Sequence, residues 1–148
     1  MLPGIVAAYT GRHMSTATQL RLPVGSSRPG GRGGSPSGTG DGRHLLAAFE
    51  SAGDEVLRRT LAATGTSYAD YRYILVHQVT RSYVEKFCAA TGVPADKLIP
   101  TVHRYGNMAA ATLGVQLAEI YDSLESGDRV LFVGLAGGIS LQTLVWQK

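Results

Sequence analysis

His77-Gln78 and Arg104-Tyr105-Gly106-Asn107 are the segments most able to do chemistry, each at a junction where a strand gives way to a helix. Alone, each residue has a plain structural role. A histidine after a strand is commonly satisfied by a neighbour, and asparagine is a favoured helix N-cap. Together they make two neutral donors that one carbonyl oxygen could share, which would stabilise an enolate or oxyanion. Removing one such donor typically costs about 3–4 kcal/mol of activation free energy. The positive end of a helix following Asn107 would add to the same field. A nucleophile is missing. No Gly-x-Ser-x-Gly elbow is present. Cys88, flanked by Phe87 and Ala89 on an expected helix, reads as a small buried hydrophobe. His13, His44, His77 and His103 lack ligand spacing, so no metal is expected. The chain reads as half of an active site.

The elements that must hold these residues follow from pattern. Residues 4–10 are apolar and β-branched between Pro3 and Gly11, as a strand requires. Residues 19–23 alternate and are expected to form its hairpin partner, near an edge because of Pro23. Residues 25–42 hold eight glycines and no apolar side chain except prolines. They read as a loop or disordered stretch, and the Gly-Lys-Ser/Thr ending of a phosphate-binding loop is absent. A helix is expected over 44–63, its main apolar line running through Leu45, Leu46, Phe49, Ala52, Val56 and Ala63, with Leu57 and Leu61 off that line. Gly53 weakens it slightly. Tyr73-Ile74-Leu75-Val76 is a continuous apolar run, expected of a strand buried on both faces. Residues 81–91 read as a helix stopped by Gly92 and Pro94, and 96–99 as a short turn. Residues 107–125 read as one long helix, 129–135 as a buried strand, 136–138 as a tight turn, and 139–146 as a final antiparallel strand. The fold class is α/β, a mixed β-sheet packed with helices. Residues 1–24 would be the opening hairpin, 25–42 the loop, and 43–148 the remainder of one domain.

Charge narrows the partners. Arg12, Arg21, Arg28, Arg32 and Arg43 face only Asp41 among the first 43 residues, so the basic excess of a +3 chain sits there. It reads as a solvated loop or as a contact for an acidic carrier or coenzyme phosphates. No aromatic-interleaved basic stripe points to nucleic acid. One cysteine excludes an intramolecular disulfide, and the apolar run 2–9 is too short for a membrane span. The expectation is a soluble, cytoplasmic protein.

With these residues in place, the chain resembles the C-terminal half of β-ketoacyl–acyl carrier protein synthase III, within the thiolase superfamily. The resemblance runs through Leu2-Pro3-Gly4-Ile5, Leu20-Arg21-Leu22-Pro23, the helix from His44, Ile74-Leu75-Val76-His77-Gln78, Val93-Pro94-Ala95-Asp96-Lys97, Arg104-Tyr105-Gly106-Asn107, Gly127-Asp128-Arg129-Val130-Leu131 and Gly137-Gly138. It implies a thiolase-like half-domain and a cysteine–histidine–asparagine triad, with His77 and Asn107 as two of its members. They would bind a thioester carbonyl, help decarboxylate a malonyl unit and stabilise the enolate. Gly137 and Gly138 would line the site near an oxyanion hole. The family's cysteine belongs to an N-terminal half that these residues do not include. The resemblance implies acyl-coenzyme A or an acyl carrier protein's phosphopantetheine as substrate, with no other cofactor. The partner would be the N-terminal ketosynthase half or a second copy.

This chain departs from the family's pattern in places. Val79-Thr80 stands where the family has Ala-Asn, so Thr80 only partly replaces a polar contact to pantetheine. Arg81 stands one position from a basic carrier contact, and Gln78 is counted with these substrate contacts. Met108-Ala109 replaces Thr-Ser, and Ile139-Ser140-Leu141 replaces a more aromatic run. These changes suit a divergent acyltransferase, of secondary metabolism rather than fatty-acid initiation. Two other readings stand beside it: a non-catalytic truncated copy or packing subunit, and one half of a split enzyme.

Overall fold

The computed structural model describes residues 4–10, 42–136 and 140–148, and side chains within 52–135 and 141–148. The chain runs β1 (Gly4–Thr10), α1 (Gly42–Thr64), β2 (Tyr73–Val76), α2 (Arg81–Thr91), α3 (Val102–Tyr105), α4 (Thr112–Ile120), β3 (Arg129–Ala136) and β4 (Ser140–Gln147). The expected hairpin partner at 19–23, the loop at 25–41 and the turn at 137–138 lie outside the described residues. Gly42 opens α1 rather than closing the loop.

The four strands of the described residues form one mixed sheet in the order β1-β4-β3-β2. β4 is antiparallel to both neighbours, and β2 is parallel to β3 in the register Ile74↔Leu131, Val76↔Val133. The short link between β3 and β4 permits only the antiparallel pairing. The parallel pairing needs a long crossover, and α2 to α4 supply it. That crossover brings Gln78, Thr101, Asn107 and Gln116 toward the end of β2.

Alternation along the strands divides the core. Ile74, Val76, Leu131, Val133 and Val145 join Leu57 of α1 and Tyr83 and Phe87 of α2 on one side. Leu75 and Val130 join Ile120 and Leu124 on the other, with Leu113, Leu117, Phe132 and Trp146 partly buried around them. Each fully buried side chain of this size contributes about 1.5–3 kcal/mol.

Three expectations change. The buried line of α1 includes Leu57 and Thr60, while Ala63 is exposed. Thr60 Oγ1 lies 2.7 Å from Thr143 Oγ1 of β4, so a polar pair anchors the helix to the sheet. Gly53 has a packing reason: a Cβ there would stand 3.1 Å from Phe87 Cε2. The helix expected over 107–125 is broken. It consists of a 3-10 turn at Ala109–Ala111, α4, and a second 3-10 turn at Tyr121–Ser123, and it is preceded by the unexpected α3. Asn107 Oδ1 accepts the Ala109 N–H at 2.9 Å. Ala109 then takes φ 49°, outside the right-handed helical region. The N-terminus of α4 is therefore at Thr112, and Asn107 is not its cap.

Candidate active site

His77 is the first residue beyond β2. Its N–H donates to Val133 O at 3.0 Å, which carries the parallel ladder one step past the strand. The imidazole is half-buried. Burial holds its pKa below the ordinary histidine value, while a hydrogen bond from the ring to the Ala109 carbonyl pulls the other way. The neutral ring carries one N–H donor and one bare nitrogen that accepts. A developing negative charge beside it would draw a proton onto that nitrogen and make it a donor.

Asn107 follows α3. Gly106 makes the turn between them with φ 69° and ψ −160°, a conformation that favours glycine. The Asn107 oxygen is engaged with the Ala109 N–H, which leaves the Nδ2 amide as a donor on an exposed side chain. Ala109 thus bears on both expected residues, bonding Asn107 through its N–H and opposing the lowering of the His77 pKa through its carbonyl. The same carbonyl accepts the buried Thr112 hydroxyl at 2.9 Å. Arg104 Nη2 pairs with Glu119 and ties α3 to α4.

Gln78 is nearly inaccessible, at 1% exposure. Its Nε2 donates to Ile99 O at 2.7 Å, and its Oε1 accepts from Thr101 N at 2.9 Å and Val102 N at 3.0 Å. This amide does the work of a strand edge and of a cap for α3. Its role is to hold the chain, where the sequence suggested substrate contact. Thr80 caps α2, accepting the Tyr83 N–H at 3.1 Å, a task its hydroxyl would share with any substrate. Arg81 is exposed and pairs with Glu85 at 3.2 Å. Gly137 and Gly138 lie outside the described residues. A separate, largely apolar cavity of about 650 Å³ opens between α2 and the 95–103 segment, with Cys88 in its wall; neither His77 nor Asn107 lines it. Burial pushes the Cys88 thiol up, away from the thiolate a nucleophile needs.

Two residues of this region escaped the sequence reading. Thr112 and Gln116 share the buried row of α4 with Ile120. Spacing of four along one helix face was the signal available.

Comparisons with known proteins bear on the family and the fold. Residues 61–148 match the family model described as 3-oxoacyl-(acyl carrier protein) synthase III C terminal. The chain is 30% identical to a β-ketoacyl-(acyl carrier protein) synthase III of Rubrobacter xylanophilus over 78% of its own length and 38% of that protein's. It is 30% identical to a 3-oxopimeloyl-(acyl carrier protein) synthase of Rhodothermus marinus, over 92% of its length and 41% of the relative's. It therefore spans well under half of the curated relatives it matches. A solved 3-oxoacyl-(acyl carrier protein) synthase III from Aquifex aeolicus VF5 superposes with a TM-score of 0.67 at 22% identity, over 73% of this chain and 36% of that one. The corresponding protein of Xanthomonas oryzae gives 0.68 at 20%, over 73% and 32%. These likenesses establish the thiolase-like fold of the half-domain. With more than half of its residues matched by the family model, the chain belongs to the 3-oxoacyl-(acyl carrier protein) synthase III C-terminal family.

Proposed function

We propose that this chain is the C-terminal part of a thioester acyltransferase of the synthase III type, and that His77 and Asn107 are its catalytic contribution. The observation that carries the reading is the bond from the Ala109 N–H to Asn107 Oδ1, which leaves the Asn107 amide as a donor on the residue whose backbone also acts on the half-buried His77 ring. The substrate is an acyl thioester of coenzyme A or of a carrier protein's phosphopantetheine. A cysteine on an N-terminal half takes the acyl group, with release of the carrier thiol. In the condensing form a malonyl thioester then loses carbon dioxide. Its enolate carbon attacks the cysteine-bound carbonyl, a carbon–carbon bond forms and the cysteine thiolate leaves. Asn107 Nδ2 and a protonated His77 hold the negative oxygen meanwhile. Thr80, Arg81, Gly137 and Gly138 contact the thioester's arm or its carrier. A cytoplasmic setting suits a chain with one cysteine. Among the described residues no helix is long and apolar enough to cross a membrane.

A packing role without catalysis is the second reading, favoured by the raised pKa and half-burial of Cys88. The two are separated by supplying the chain with an N-terminal synthase III half that bears the cysteine. Acyl transfer should appear in the mixture and fall about 10²–10³-fold in His77→Ala or Asn107→Ala. The chain alone, incubated with an acyl-coenzyme A, should show no covalent adduct by intact mass. Transfer that is indifferent to both substitutions sinks the catalytic reading. An adduct lost in Cys88→Ala moves the nucleophile to Cys88.

A further inference from the structure

Gln116 sits on α4 with no exposed surface, in a row where an apolar residue is the default. Its Nε2 donates to Val76 O at 3.1 Å and to Thr101 Oγ1 at 3.3 Å. Val76 precedes His77, and Thr101 precedes α3, which leads to Asn107. One buried amide therefore fastens both chain segments that deliver the two side chains of the site. Four residues earlier on the same face, Thr112 donates to the Ala109 carbonyl at 2.9 Å.

The need for this amide lies in the sheet edge. Among the described residues β2 is the last strand of the sheet. The 98–101 segment begins to pair with it through the single parallel bridge Ile74↔Leu98 and then diverges. Beyond the bridge, the side chain of Gln116 satisfies the Val76 carbonyl, and that of Gln78 satisfies Ile99, Thr101 and Val102. Gln116 Oε1 is buried with no hydrogen-bond partner. An unmatched acceptor in the core lowers stability. A residue selected for packing alone would not carry it, so the donor half of this amide is what the position requires.

We propose that Gln116 is a positioning residue of the candidate site, fixing the His77 imidazole against Ala109 by holding the Val76 peptide. The inference rests on the reading of His77 as a site residue, but its test needs no acyl transfer. The ring is followed in the full chain by ¹³C and ¹⁵N labelling of histidine at about pH 8, where an unperturbed imidazole is neutral, with His77→Gln for assignment. One tautomer should dominate in the wild type, its N–H on Ala109. In Gln116→Leu the two tautomers should approach equal populations, a change of at least about threefold in their ratio, or roughly 0.65 kcal/mol at RT ≈ 0.59 kcal/mol. Thr101→Val should move the ratio in the same direction by less, and Thr101→Ser, which keeps the hydroxyl, should restore it. A simple packing role predicts altered melting with the ring signals unmoved. Unchanged His77 signals in a folded Gln116→Leu overturn the proposal. If that variant does not fold, Gln116→Met and the Thr101 pair carry the same decision. A shifted tautomer ratio beside a reconstituted reaction indifferent to His77→Ala would uphold the positioning and refute the catalytic reading.

Discussion

His77 and Asn107 both depend on the backbone of one residue: Asn107 Oδ1 accepts the Ala109 N–H at 2.9 Å, and the Ala109 backbone pulls the His77 pKa up against the effect of burial. Asn107 is thus held by Ala109, whose φ of 49° is rare for a residue with a Cβ.

That conformation can be tested by substitution. The left-handed region costs an ordinary L-residue roughly 1–2 kcal/mol. Ala109→Gly should relieve the strain and leave stability equal or raised by up to about 1 kcal/mol. Ala109→Val, β-branched and poorly suited to positive φ, should cost more than about 1 kcal/mol. Urea unfolding of the three chains measures both. Equal stability of the glycine and valine variants would show that Ala109 is not held in this conformation.

The pH dependence of stability has a defined sign at His77. Its folded pKa is lowered from 6.5, first by burial, with the Ala109 bond opposing. As pH falls, the unfolded chain takes up its proton first. The contribution is fully present above about pH 6.5 and is lost as pH falls through the folded value. The half-exposed ring makes the effect modest. The unfolding midpoint should therefore fall less between about pH 8 and pH 5.5 in His77→Gln than in the wild type. An identical acid slope in the two chains would count against a depressed His77.

Gly53 and Phe87 should be coupled. Alanine at a helix interior is favoured over glycine by about 1 kcal/mol, yet a Cβ at Gly53 would meet Phe87 Cε2 at 3.1 Å. Phe87 has no exposed surface and little room to give. Overpacking costs about 1–3 kcal/mol, so Gly53→Ala should destabilise by about 1 kcal/mol net. In a Phe87→Leu background the same change should become stabilising. A double-mutant cycle reads the coupling, and strict additivity would mean the helices can part without cost.

Legibility followed the range of the interaction. Tyr73–Val76 was plain because an unbroken apolar run admits few structures, and α2 because Gly92 and Pro94 mark its end locally. The alanines after Asn107 favour helix intrinsically, so the run suggested one continuous element. The break at Ala109 comes with the Asn107 side chain, whose oxygen takes the Ala109 N–H at 2.9 Å. Thr60 and Gln116 were hidden for a related reason. Each is polar and buried, and its partner, Thr143 or Val76, belongs to a distant strand. Hydrophobic periodicity passes over such positions. The site residues themselves were visible as types and spacing, but Gln78 shows how a motif residue can be consumed by the fold that presents the motif.

The side of the sheet carrying α4 should drive association unless a partner covers it. Leu113, Leu117, Phe132 and Trp146 are only partly buried there. Ala110, Ala111 and Ala118 are exposed, and Tyr121 keeps 44% of its surface in solvent while stacking on Trp146 at a centroid distance of 6.4 Å. The opposite side differs, since Ile74, Val76, Leu131 and Val133 are sealed by α1 and α2. Contiguous apolar surface of this kind promotes association, and burying each leucine-sized side chain contributes roughly 1.5–3 kcal/mol. For a domain of ordinary marginal stability a few such residues decide the matter. Sedimentation of the chain at tens of micromolar should show dimers or larger species. Ala111→Glu or Ala118→Glu, charges placed on exposed positions, should shift the population toward monomer without altering the fold. A cooperatively melting wild-type monomer at that concentration would mean that the α4 side needs no cover, and the half-enzyme reading would lose its physical support.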